Sequence, residues 1–168
     1  MHRRGWLKLG LASAVVLAVG GGAAVMYQPG YASGRLTPAG REVFSGVGRA
    51  MLDGSLPVAE PARSVAIEGL LERVDQLVAG LPPHAQDELS QLLALMASGA
   101  GRRTLVGLDG AWATASVPEV QAALQSMRTS ALSLRQQAYH ALHDITGSAY
   151  FSDASTWGLL GYPGPVAV

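Results

Sequence analysis

No cysteine occurs among the 168 residues. That absence removes disulfides, thiolate zinc sites, iron–sulfur ligation and thioether haem attachment together. It leaves the compartment open, since an exported protein can do without bridges. Charge is sparse, at 14% of residues, and balanced at 12 basic against 12 acidic. With Arg3, Arg4 and Lys8 set aside, nine basic side chains face twelve acidic ones, a net charge of −3. Such a body lacks the clustered basic face of a nucleic-acid binder. Sustained period-two alternation of β-branched residues is missing too, so strands are not expected. No GxSxG elbow supports a hydrolase. Gly20, Gly21 and Gly22 make no phosphate loop, because no strand precedes them and no lysine follows.

What is present begins with the opening "MHRRGWLKLG", where Arg3, Arg4, Trp6, Leu7 and Lys8 form a twin-arginine export address of the kind used by proteins that cross a membrane already folded. His2 and Trp6 depart mildly from the commonest form of that address. The uncharged run Leu9 to Met26 would reach roughly 27 Å as a helix, borderline for a bilayer. Its glycines weaken it, as suits a leader more than a permanent anchor. An ordinary signal-anchor beginning with two arginines is the alternative. Small residues at Gly22 and Ala24, or at Gly30 and Ala32, would permit cleavage, and retention as an anchor stays open. The chain therefore divides into a leader, residues 1–35, and a body, residues 36–168.

The body reads as helices. Thr37 as N-cap and Pro38 in the first turn open one that stops near Asp53-Gly54, with Val43, Val47, Ala50 and Met51 on its buried face. Ile67, Leu70, Leu71, Val74, Leu77, Val78 and Leu81 recur at threes and fours in a second, with Glu68, Glu72, Arg73, Asp75 and Gln76 facing outward. A third, "PHAQDELSQLLALMASG", turns Leu89, Leu92, Leu93 and Met96 inward and stops at Gly99. The glycine-broken stretch from Gly99 to Ser116 reads mostly as connector, with room for one short helix. Ser116 and Glu119 then form a capping box, and no glycine or proline interrupts Glu119 to Thr146. One long helix is expected there, roughly 40 Å at ~1.5 Å per residue, as the spine of an all-α bundle.

The tail differs in composition. Tyr150, Phe151, Trp157 and Tyr162 bring four of the chain's ten aromatic residues within thirteen positions. Ser152 suits an N-cap for a short helix from Asp153 to Leu160, Gly161 its stop, and "YPGP" a stiff exit. Two destinations are open to these rings. They seal the end of their own bundle, or they bind another protein, where tyrosine and tryptophan are enriched.

The leader, "LDGSLP", "IEGLLERVDQLVAGLPP" and above all "YFSDASTWGLLGYPGPV" resemble the gluconate 2-dehydrogenase subunit 3 family. The likeness runs through most of the chain and is sharp in the tail. It implies a noncatalytic, periplasmic small subunit, either free or attached to the inner membrane. Its partner would be a large FAD dehydrogenase of the glucose-methanol-choline type acting on sugars, sugar acids or alcohols, often with a cytochrome c subunit. The small subunit supplies the leader for both, and because flavin is inserted in the cytoplasm the partner must cross folded. The resemblance carries Tyr150, Phe151, Asp153, Trp157, Gly161, Tyr162, Pro163, Gly164 and Pro165 over as structural or partner-facing residues without a catalytic role. No cofactor is expected on this chain itself.

Other constellations are weaker. His140, His143 and Asp144 could hold a metal only if another helix added a ligand, and read more simply as a solvated helix end. Glu68, Glu72 and Asp75 read as a solvated face before an acid–base pair, and His84 opens a helix. A different class of function, a free-standing helical protein whose groove takes a lipid, quinone or steroid, is the second expectation. An independent enzyme is the third.

Overall fold

The computed structural model describes residues 28–164. The export address Arg3, Arg4, Trp6, Leu7 and Lys8, and Pro165 in the tail, lie outside the described residues. Two very short strands, β1 (Tyr31–Ala32) and β2 (Arg35–Leu36), precede α1 (Pro38–Met51), α2 (Ala62–Ala79), α3 (Pro83–Ala97) and a single turn α4 (Gly99–Gly101). A π-helical turn (Arg102–Val106), α5 (Val117–Arg128), α6 (Ser133–Phe151) and a 3-10 helix (Ala154–Leu160) complete the order. The molecule is all-α apart from the small antiparallel hairpin, as the helical periodicity anticipates.

The central element is α1, not the expected C-terminal helix. Thr37 caps it by accepting from the Gly40 amide at 3.4 Å, Pro38 opens it, and Leu52 closes it. Val43, Phe44 and Val47 are fully buried, and α1 touches α2, α3, α5 and α6. Burying Phe44 alone is worth about 1.5–3 kcal/mol relative to exposure. Close approach is possible because Gly46 and Gly48 lack side chains. A Cβ on either would stand 2.7 Å from the Trp112 ring or from Leu70 Cδ2 respectively.

The expected single helix from Ser116 to Thr146 is two. The capping box at Ser116 and Glu119 forms as anticipated, but α5 ends at Arg128. Thr129 Oγ1 donates to Gln125 O at 3.0 Å, and Ser130 Oγ accepts from the Leu132 amide at 3.2 Å. These hydroxyls offer the backbone partners that compete with the helix ladder, so a break needs neither glycine nor proline. The bend also lets α5 and α6 pack on each other and present two apolar faces to one core, which a straight rod could not do. Ala131, which a continuous helix would turn toward the core, sits exposed at the bend, beside Leu132.

The glycine-broken stretch is likewise more than a connector. Leu105, Val106, Leu108 and Trp112 are buried, and the Trp112 indole donates to Met96 O at 2.9 Å. Arg135 on α6 spans to Leu105 O at 2.8 Å, Val106 O at 3.1 Å and Ser126 Oγ at 3.1 Å, tying the π-helical turn to both later helices.

Strands were not expected, yet β1 and β2 form a hairpin whose turn residues Ser33 and Gly34 both have positive φ, 52° and 79°. The hairpin belongs to the packed unit although the boundary drawn after residue 35 cuts through its second strand. Tyr31 and Leu36 are buried, and Ser90 Oγ on α3 accepts from the Tyr31 amide at 3.1 Å and donates to Tyr31 O at 2.8 Å.

Three of the outward residues of α2 are also connectors. Asp75 accepts from the Leu36 amide at 2.6 Å and faces Arg41, which also pairs with Glu68. Arg73 reaches the tail. Leu92, expected inside, is only half-buried on α3.

Candidate functional site

The end of the bundle where α1 stops, α2 starts and α6 stops carries the aromatic tail and, beside it, an open groove. Tyr150 belongs to the core. It is 5% exposed and its hydroxyl donates to Ser55 O at 2.9 Å, with burial pushing its ionisation above the usual tyrosine value. Phe151 is the next residue on the helix, so it points away, edge-to-face on Tyr150 and 37% exposed.

Asp153, not Ser152, caps the 3-10 helix; Ser152 is the C-cap of α6. Asp153 Oδ1 accepts from the Ser155 amide at 2.9 Å, while Oδ2 pairs with Arg73 at 3.2 Å. Those hydrogen bonds, and then the guanidinium, hold the carboxyl below its ordinary range. Arg73 also donates to Ala149 O at 2.8 Å, so one side chain of α2 fixes both the last turn of α6 and the start of the tail. The Trp157 indole donates back to Phe151 O at 2.8 Å, and its ring meets Tyr162 at 5.4 Å, inclined by 61°. Gly161 ends the 3-10 helix with φ 66°, as its position suggests. Tyr162 is 48% exposed and Pro163 is exposed. Burial divides the rings residue by residue: Tyr150 is inside, Trp157 half-buried, and Phe151 and Tyr162 exposed. Val58 and Val65 add exposed apolar surface on the loop and helix that follow Ser55. Arg63 holds that loop by donating to Pro57 O at 2.9 Å and Val58 O at 2.8 Å.

The groove lies between the C-terminal end of α1, α5 and α6, with Phe151 on its lining, and has a volume of about 450 Å³. Met51, Leu52 and Leu124 supply apolar walls, Tyr139 and His143 a polar-edged one. Thr146, 1% exposed, is among its lining residues, and its hydroxyl, buried from solvent, has no hydrogen-bond partner among the described residues. Gly147 lines it too, and a Cβ there would meet nothing within 4 Å. Glycine within a helix costs about 1 kcal/mol relative to alanine, and neither packing nor backbone angle demands it here.

His143 Nδ1 stands 3.0 Å from Asp144 Oδ1, both exposed, and His140 points to solvent as well. Among the described residues no group of three or more histidines, cysteines, aspartates or glutamates stands close enough to hold a metal ion. Glu68 and Asp75 are engaged by Arg41 in ion pairs, which makes them structural. Among the described residues no helix is long and apolar enough to cross a membrane. The groove was not anticipated residue by residue. Its signals were a threonine at a core position of α6 and a glycine directly after it.

Comparison with protein-family models, with curated proteins and with solved structures finds no match to this chain.

Proposed function

We propose that this chain is a noncatalytic subunit that binds, escorts through twin-arginine export and stabilises an FAD dehydrogenase acting on sugars, sugar acids or alcohols in the periplasm. A cytochrome c subunit is a further candidate member of that complex. The observation that carries the reading is the tail: Phe151 and Tyr162 stand exposed on a segment that Asp153, Arg73 and Trp157 hold rigidly in place. Aromatic rings displayed on an already ordered backbone lose little entropy on docking, which is what an interface anchor requires. The leader supports the same reading, because its address serves folded cargo and a flavoprotein is such a cargo.

The test is export of the partner. Replacing Arg3 and Arg4 by lysine strands both this chain and a flavin-containing polypeptide in the cytoplasm, read by fractionation and flavin absorption. A partner that reaches the periplasm normally in that strain rules the escort out.

A further inference from the structure

We propose that the bend between α5 and α6, with the π-helical turn packed beside it, is a face that lies against an anionic lipid surface, Leu132 entering the headgroup layer and arginines meeting its phosphates. The body's net charge of −3 conceals an uneven distribution. No acidic residue occurs between Glu88 and Asp109, nor between Glu119 and Asp144, whereas Arg102, Arg103, Arg128 and Arg135 all fall within those two intervals. The fold joins the intervals. The π-helical turn touches α3 and α5, and Arg135 reaches from α6 to Leu105 O and Val106 O.

Arg41 and Arg73 are paired with carboxylates, but none of these four arginines is in an ion pair among the described residues. Arg103 and Arg128 are exposed. Arg102 and Arg135 are half-buried and donate to uncharged oxygens, Arg102 to Ala97 O at 3.3 Å, which fixes the guanidinium groups without cancelling their charge. A guanidinium fork matches phosphate oxygens. Between Arg128 and Arg135 stands Leu132, 65% exposed, on a bend held in shape: Ser130 Oγ accepts from the Leu132 amide at 3.2 Å, and Gln136 donates to Ser130 O at 2.8 Å. One aliphatic side chain displayed among unpaired cations fits a surface that accepts apolar insertion at any point and spreads its negative charge, as a lipid headgroup layer does. An acidic protein would need a pocket at that one spot. The path of the chain agrees. Shortly after the apolar run Leu9 to Met26, the Gly30 amide donates to Ser90 O at 3.1 Å on α3, the helix that leads on to the π-helical turn. The face belongs to the body and does not rest on the escort reading.

Because the chain lacks cysteine, Leu132→Cys gives a single labelling site for an environment-sensitive fluorophore, and Glu72→Cys, exposed on α2, gives a second. Each labelled full-length protein is mixed with phosphatidylcholine vesicles, with and without phosphatidylglycerol. A blue shift is expected for the label at Leu132→Cys with phosphatidylglycerol at ~0.1 M salt, and its loss at ~1 M, where the Debye length falls to about 3 Å. Adding Arg103→Gln and Arg128→Gln should raise the phosphatidylglycerol needed for the half-maximal shift about tenfold or more, since each arginine near an anionic surface contributes roughly fivefold in affinity. Both positions are exposed, so the unfolding midpoint should stay within a few degrees of the parent. No shift at Leu132→Cys overturns the proposal. So does an equal shift on phosphatidylcholine alone or at Glu72→Cys, either of which would assign the contact to the apolar leader. A shift with polyglutamate but not with phosphatidylglycerol vesicles overturns the lipid assignment in favour of an acidic protein, and an undiminished shift in the arginine variant overturns the role of the charges. Each of these results leaves the export test untouched, because that test reads the fate of another polypeptide.

Discussion

Asp153 uses each of its carboxylate oxygens on a different element, and its protonation state is therefore a statement about the tail. Because its folded pKa lies below the ordinary 3.8, its contribution is fully present above that value and is lost as pH falls through the folded one. The Ser155 amide proton, followed by NMR, is expected to titrate with a midpoint under 3.8, and Asp153→Asn to abolish that titration; a midpoint at or above 3.8 would contradict the arrangement. Legibility at this scale was uneven. Thr37, Ser116 and Gly161 were readable because a cap is a local event between near neighbours. Trp112 was not: its partners Gly46, Arg49 and Met96 lie far from it in sequence, and its own neighbourhood is dominated by glycine, which reads as loop. Thr146 was hidden for the opposite reason, since a single hydroxyl on an apolar face scarcely alters its periodicity.

Element lengths were harder to read than element types. The periodic pattern of α1, α2 and α3 matches most of their observed buried faces, with Met51, Leu77, Leu81 and Leu92 only half-buried, because each face is satisfied by a straight helix of ordinary length. From Ser116 to Thr146 the pattern continued through a break, since residues on either side of the bend all seek the same core. A hydroxyl-rich run, Thr129 to Ser133, was the available sign. The hairpin escaped because two residues per strand are too few to display alternation. Its hold on the bundle gives a prediction. Ser90→Ala leaves the amide and carbonyl of Tyr31 without their side-chain partner in a buried place, and should cost about 1–3 kcal/mol of stability in urea unfolding. A loss of only a few tenths would mean that the hairpin unfolds separately from the helices.

For the whole molecule, the question is which surface faces a neighbour. Within the proposed complex, Trp157→Ala should weaken binding by about 2 kcal/mol or more if the ring reaches a partner pocket. Phe151→Ala and Tyr162→Ala should weaken binding while leaving the isolated chain's stability within about 0.5 kcal/mol, the usual range for exposed positions. Unchanged affinity in all three would move the interface away from the tail. The composition of this end was legible as unusual; its division into inward and outward rings was not, because that depends on where α6 stops. The hairpin has one more consequence. A peptidase needs its substrate drawn out and threaded through a cleft, whereas Gly30 and Tyr31 are stitched to Ser90 and Thr37 is stitched to Pro29 and Gly30. Cleavage after Ala32 needs Gly30, Tyr31 and Ala32 drawn out together, which requires the hairpin to leave Ser90 first. If the chain crosses a membrane already folded, as proposed, it is expected to keep Tyr31, and an N-terminal sequence of the exported protein beginning at Ser33 would contradict that.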